Sequence, residues 1–284
     1  MRKNGFCIKN RIIPSVFVIG IQKCGTSTLD EVLSQFPELS HGSKKEHQYF
    51  DESREPYSEY LKQFPKCSNS LLRTHDATPG YTNPLSNAPM NISRFYNFFG
   101  LPPKKLIFIA MVCSNTRRIP SIFYHHRRHN RMKRNTKLNA WFDMSLKSHN
   151  SGVKNPMDKF DANYDLSRMA LSMGLYDSIF KTYFELFNES KFLLIDSDYA
   201  FIDMQNLGDF LANEMNLSKQ KIRYVHSNSH ESKSNNGKVQ GLSHKNSERL
   251  KEFYLLHERN FKEIVKTNIN VKVYPTDNFL DNWT

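Results

Sequence analysis

A lysine, two glycines and three consecutive hydroxyl residues share the stretch Gly20-Ile21-Gln22-Lys23-Cys24-Gly25-Thr26-Ser27-Thr28. Such residues hold anions. Apolar residues from Val16 to Ile19 lead in, and Leu29, Val32, Leu33 and Phe36 follow at helical spacing. A strand, a loop and a helix opening at Thr26 are therefore expected, and that arrangement aims unpaired backbone N–H groups and a helix dipole at one phosphate-like group. Lys23 adds a mobile positive charge, and Thr26, Ser27 and Thr28 add hydroxyl donors. The glycine spacing is that of a nucleotide-phosphate loop, but Thr26 stands where such loops carry a lysine after the second glycine. The cation at position 23 instead speaks against an ATP-hydrolysing loop. A second chemical stretch is Lys44-Lys45-Glu46-His47-Gln48-Tyr49-Phe50-Asp51. Glu46 there is either an ordinary surface ion pair or a general base.

The elements that must position these residues follow from periodicity. A buried parallel strand is expected at about 16–21, with Pro14 before it rather than inside it. Tyr57, Tyr60, Leu61 and Phe64 are spaced for one helix face. Residues 71–76 read as a short strand breaking at Thr78-Pro79-Gly80, and 106–112 as a second buried strand ending at Cys113. A helix from about Arg117 tolerates Pro120 in its first turn and runs into the basic stretch His125 to Arg134. Residues 135–163 are polar and read as an insertion or lid with a helix around 138–146. Helices are expected over 166–187, 204–215 and 247–266, a third buried strand at 191–196, and a loop over 226–246. Alternating strands and helices predict an α/β, P-loop-like three-layer domain, its central, mostly parallel sheet flanked by helices and its sites at the carboxyl ends of strands. One domain over 1–284 is expected, with a core of about 14–266.

The chain has 284 residues, a formal net charge of +12 and 21 phenylalanines. That charge favours acidic partners, a solvated basic surface being the plain alternative. No nucleic-acid motif accompanies the basic run, so nucleic acid is not an expected partner. The four cysteines, Cys7, Cys24, Cys67 and Cys113, form no CxxC and no metal-like spacing with histidine, so one disulfide is allowed and no metal is expected. No stretch approaches the roughly 20 apolar residues of a membrane span, and the N-terminus lacks a signal-type apolar segment. The sequence as written is expected to be soluble, without a transmembrane segment. Sequons begin at Asn91, Asn188, Asn216 and Asn282.

The segment Ile19 to Leu29 resembles the 5′-phosphosulfate loop of sulfotransferases that use 3′-phosphoadenosine 5′-phosphosulfate (PAPS). Lys45-Glu46-His47-Gln48-Tyr49-Phe50 is similar to the Lys-Glu-x-x-Phe-Phe segment of their heparan sulfate branch, Asp76 to Tyr81 to their Glu-Lys-Thr/Ser-Pro-x-Tyr turn, and Gly174-Leu175-Tyr176 to their Gly-x-Tyr helix. The resemblance covers roughly residues 15–260. It implies PAPS as sulfuryl donor, no metal, and a carbohydrate or other hydroxyl or amine acceptor, extending to polyanionic glycans. Lys23, Cys24, Gly25, Thr26 and Ser27 would hold the 5′-phosphosulfate, and Glu46 with Lys23 would be catalytic. Arg118 and Ser121 would hold the 3′-phosphate, and Gly237 and Lys238 would belong to a loop closing over the cofactor. It also implies the Golgi lumen, although no anchor or signal is visible and the cytoplasm stays open. Two positions depart from the family: Cys113 replaces the arginine of the 3′-phosphate motif, and Ala77 replaces the lysine of the Thr-Pro turn. The competing readings are a P-loop kinase, with Asp196 as a metal-holding strand end, and a weakened family member that only binds anionic glycans.

Overall fold

The computed structural model describes residues 5–51, 55–67, 73–133, 135–150, 166, 169–224, 241–277, 279–280 and 283. Chain order is β1 (Phe6–Ile8), β2 (Arg11–Gly20), α1 (Thr26–Leu33), β3 (Leu39–Ser40), α2 (Tyr57–Lys62), β4 (Arg73–Asp76), α3 (Ala88–Phe98), β5 (Ile107–Val112), α4 (Asn115–Arg128), α5 (Leu138–Asn150), α6 (Tyr176–Leu186), β6 (Lys191–Asp196), α7 (Met204–Met215), α8 (His244–Thr267) and β7 (Val271–Tyr274). The strands lie in the order β3-β4-β2-β5-β6-β7, every pairing parallel, and β1 folds back antiparallel on β2. The expected α/β sheet flanked by helices is what forms.

The central strands explain the topology. Val16, Phe17, Val18 and Ile19 of β2 are fully buried, as are Phe108, Ile109, Met111 and Val112 of β5 and Leu193, Leu194 and Ile195 of β6. Strands buried on both faces need helices above and below, and parallel pairing supplies them as crossovers. Phe108 stacks between Phe17 and Phe192, with ring centroids 5.7 and 5.2 Å away. A separate apolar cluster joins α4, α5 and α8 through Ile119, Phe123, Trp141, Phe142, Leu250 and Tyr254. The helix expected near 138–146 is therefore built into a core of its own.

Three expectations need correction. Pro14 lies inside β2, where the chain switches from pairing β1 through Ile13 to pairing β4. The register shifts there, and the Pro14 carbonyl accepts from the Tyr96 hydroxyl, so the missing N–H falls at an irregularity in the ladder. The long helix over 166–187 breaks at residues 173–175. A Cβ on Gly174 would collide with Asn115, Arg118 and Tyr254, and only a break brings the chain that close to α4 and α8. Third, the chain continues past residue 266 into β7, which the short pattern Val271-Lys272-Val273-Tyr274 does not announce. Among the described residues no helix is long and apolar enough to cross a membrane.

Candidate active site

The phosphate loop leaves the carboxyl end of β2 and enters α1, between the neighbouring strands β4 and β5. Gly25 caps the helix with φ of 95°, a left-handed conformation that glycine adopts freely. A Cβ there would run into the Phe201 ring. Lys23 also has a positive φ, 73°. Burial pushes its ammonium below the usual lysine range, and the charges of Arg128 and Lys45 push the same way. A cation held half-buried among other cations is poised for an incoming anion. Thr26 is buried and Ser27 half-buried at the first turn of α1.

The segment after β3 carries the candidate base to this loop. Lys45 Nζ donates to Ser27 Oγ at 2.9 Å and to Glu46 Oε1 at 2.9 Å. One lysine thus joins the first turn of α1 to the carboxylate. The backbone around Glu46 is fastened to the Thr-Pro turn: Ala77 N donates to the Lys45 carbonyl at 3.1 Å, and His47 N and Gln48 N donate to Thr78 Oγ1 at 3.0 and 3.2 Å. Thr78 Oγ1 in turn donates to Asp76 Oδ1 at 2.6 Å, and the Tyr60 and Tyr81 hydroxyls donate to Asp76 Oδ2 at 3.1 and 2.7 Å. Burial pushes the Asp76 carboxyl up, against the pull of His47 and of these three hydroxyls. The aromatic pair then anchors the segment in the core. Phe50 is buried, 5.2 Å from the Tyr60 ring and 5.7 Å from Tyr81, and Tyr49 stacks on Tyr60 at 4.4 Å.

The carboxyl end of β5 holds the departure from the expected pattern. Cys113 is disulfide-bonded to Cys24 across 89 residues, tying the phosphate loop to the end of the adjacent strand. Cys7–Cys67 is a second disulfide, so all four cysteines are paired where the sequence reading allowed one bridge. The Tyr176 hydroxyl donates to the Cys113 carbonyl at 2.9 Å and lies 3.9 Å from Cys24 Sγ. This binds the Gly-x-Tyr segment to the same corner.

Arg117 and Arg118, at the start of α4, are both engaged with other parts of the protein. Arg118 is fully buried, with Nε donating to Asn115 Oδ1 at 2.8 Å and Nη2 to the Ala170 carbonyl at 2.7 Å. A side chain so enclosed positions the helix, and its Nη1 is buried without a hydrogen-bond partner among the described residues. Arg117 pairs with Asp198 and Ser197. Ser121 is half-buried, one turn beyond Arg118 on α4. Further along α4, burial holds His125 down at about 4, helped by the charges of Lys23, His126, His129 and Arg131. His126 is likewise held at about 4 by burial, Arg131, His129 and Lys23. The basic run therefore lies within electrostatic reach of the phosphate-loop lysine. Gly237 and Lys238 lie outside the described residues, as do residues 151–163 of the expected lid.

One cluster has no counterpart in the sequence spacing. Asp30 of α1 accepts from His75 Nε2 of β4 at 2.8 Å and lies 3.3 Å from His41 Nδ1, and the donor atoms of all three lie within 4.8 Å of one another. α1, β4 and the residue just after β3 supply the three residues, so only the fold brings them together. Burial pulls the Asp30 carboxyl up, but the hydrogen bond and charge of His75, with His41 and Lys45, bring it below its ordinary value. The cluster fastens α1 to β4 beneath the loop that carries Lys45, and these groups are also able to ligate a cation. Asp196 is buried: Oδ1 accepts from Asp198 N at 2.9 Å and Oδ2 from Trp283 Nε1 at 3.2 Å.

The chain's fold is that of a sulfotransferase from Alicyclobacillus acidocaldarius, with a TM-score of 0.60 at 18% identity over 89% of this chain and 96% of that one. Over 81 residues the sequence is 37% identical to the membrane-associated sulfotransferase kil1 of Dictyostelium discoideum, a match that spans 27% of this chain and 17% of that protein. Residues 14–255 match the sulfotransferase domain family, a span that runs from β2 through β6 and α7 into the first half of α8. The lysine-bearing phosphate loop and the carboxylate tied to it are thus seated in a member of that family: the chain belongs to the sulfotransferases.

Proposed function

We propose that this sulfotransferase moves the sulfuryl group of PAPS to a hydroxyl or amine of a carbohydrate acceptor. The observation that carries the reading is the line Ser27–Lys45–Glu46, which sets a carboxylate one lysine away from the phosphate loop. In sulfuryl transfer the acceptor oxygen attacks sulfur as the bond to the phosphate oxygen breaks, in line, and the acceptor proton must leave. Glu46 would take that proton. Lys23 and the N–H groups of Gly25, Thr26 and Ser27 would neutralise charge growing on the leaving phosphate, as in phosphoryl transfer, the Cys24 N–H closing the loop on the Ile21 carbonyl. PAPS when bound supplies the activated sulfuryl group; the chain binds, orients and moves the proton.

Ser121 remains the candidate for the 3′-phosphate, with Lys23 and Arg128 supplying positive potential in place of an arginine at position 113. Arg118 acts behind it as a positioning residue. The same cationic run suits a polyanionic acceptor such as a glycosaminoglycan. Two disulfides that consume every cysteine favour an oxidising compartment, consistent with a Golgi-type lumen. A kinase reading gains nothing at Asp196, whose carboxylate is buried and accepts from Asp198 N at a helix start and from Trp283 Nε1.

Glu46→Gln tests the base. Transfer from PAPS to a glycan acceptor should fall by about 10² to 10⁴-fold in kcat, while affinity for adenosine 3′,5′-bisphosphate stays the same. Full transfer activity in the variant would remove Glu46 from the mechanism.

A further inference from the structure

We propose that Asn188 and Asn216 carry N-linked glycans, and that the glycan on Asn188 covers an open groove beside Ile269. This rests on the lumenal reading above. The sequence offers four sequons without ranking them, and the fold separates them. Asn91 is half-buried on α3, and its side-chain amide donates to the Phe50 carbonyl at 2.8 Å. A sugar there would break a contact that anchors the segment bearing Glu46, so the folded protein is unmodified at Asn91. Asn282 lies outside the described residues.

Asn188 and Asn216 are both exposed. Asn216 closes α7 in a left-handed conformation, φ 53° and ψ 49°, where the chain turns away from the helix. Asn188 lies in the turn between α6 and β6, its own carbonyl accepting from Asn270 Nδ2 at 2.6 Å. Both sequons sit at the amino ends of the parallel strands. Lys191 opens β6 and its Nζ donates to the Glu214 carbonyl at 2.7 Å, and Arg73 opens β4 and donates to the Met215 carbonyl at 2.7 Å. The phosphate loop leaves from the opposite, carboxyl end of the sheet. Bulky glycans at these two points leave the cleft open to donor and acceptor.

The surface next to Asn188 supplies the second observation. A groove of about 440 Å³ is lined by Asn188, Lys181, Phe184, Ile264, Ile269 and Asn270. Ile269 is 87% exposed, an unusual setting for a large aliphatic side chain beside an open groove. The C–H face of a first sugar on Asn188 would shield it. In the attachment step Asn Nδ2 bonds to the anomeric carbon of a lipid-diphosphate-linked oligosaccharide. The carbon–oxygen bond breaks, the lipid diphosphate leaves with the electron pair, and the amide proton passes to the transferring enzyme's base. Ser190 and Ser218 complete the two sequons.

The test uses the protein purified from the cells that make it. It is digested without reductant, treated with peptide N-glycosidase in heavy-oxygen water, and analysed by mass spectrometry. Heavy aspartate is expected at positions 188 and 216 and not at 91, with the Cys7–Cys67 and Cys24–Cys113 peptides linked. Asn188→Gln and Asn216→Gln should each remove one mobility step from the intact protein. Linked cysteines with unmodified Asn188 and Asn216 would overturn the glycan proposal and leave the compartment reading standing. Free cysteines with unmodified asparagines would overturn both. Heavy aspartate at 91 in the folded protein would contradict the ranking of the sites.

Discussion

Lys45 is the side chain on which the proposed chemistry turns, because it touches both the phosphate loop and the candidate base. Its two contacts orient Glu46 as well as neutralise it. Replacing Lys45 with Met should lower kcat by about tenfold, the worth of one hydrogen bond to a charged group. Binding of adenosine 3′,5′-bisphosphate should weaken far less. A variant that loses binding and turnover equally would assign Lys45 to the cofactor instead. Gly25 gives a backbone counterpart. Alanine there meets both an unfavourable left-handed φ, costing about 1–2 kcal/mol, and the Phe201 ring. Gly25→Ala should lower Tm and remove nucleotide binding together, read by calorimetry and titration on the same sample.

The loop between β2 and α1 and the start of α4 act as one corner, held by Cys24–Cys113 and by Tyr176. Where relatives are expected to place an arginine, this chain has a covalent tie. The double variant Cys24→Ser, Cys113→Ser removes an 89-residue bridge. It should cost about 2–4 kcal/mol of stability and weaken bisphosphate binding, because the loop no longer starts from its bound shape. Unchanged affinity in the variant would make the bridge a matter of stability alone. Much of this corner is legible in the sequence. Lys23, Gly25 and the hydroxyl run announce an anion loop by type and spacing, and Glu46 stands out beside its aromatic anchors. The disulfide is not legible, because Cys24 and Cys113 become neighbours only when β2 pairs with β5. Nor is the burial of Arg118, which depends on Gly174 breaking a helix that periodicity alone would continue. The Asp30, His41 and His75 cluster is hidden for the same reason, α1, the loop after β3 and β4 each supplying one member.

Across the molecule, positive charge gathers on one helix facing the cleft. His125 and His126 are held neutral down to about 4 by burial and neighbouring cations. Their folded-state values lie below the ordinary histidine value, so the stability they confer is complete above about pH 6.5 and is lost as pH falls towards 4. A bound anion reverses the balance and favours the protonated rings. Bisphosphate binding should therefore take up protons and tighten as pH falls from about 7.5 to 6, measured by titration calorimetry in buffers of different ionisation heat. Binding that weakens over that range would separate the α4 histidines from the ligand.

The central claim is that the phosphate loop takes a 3′-phosphorylated adenosine donor without a metal. Thermal unfolding of the intact chain decides it, with adenosine 3′,5′-bisphosphate in one titration and ATP with Mg²⁺ in the other. A ligand at 100 times its Kd stabilises by about 2.7 kcal/mol, so a specific ligand gives a clear rise in Tm. The bisphosphate should raise Tm in the presence of a chelator, and ATP with Mg²⁺ should leave it close to that of the free protein. Stabilisation by ATP with Mg²⁺ and none by the bisphosphate would contradict the account.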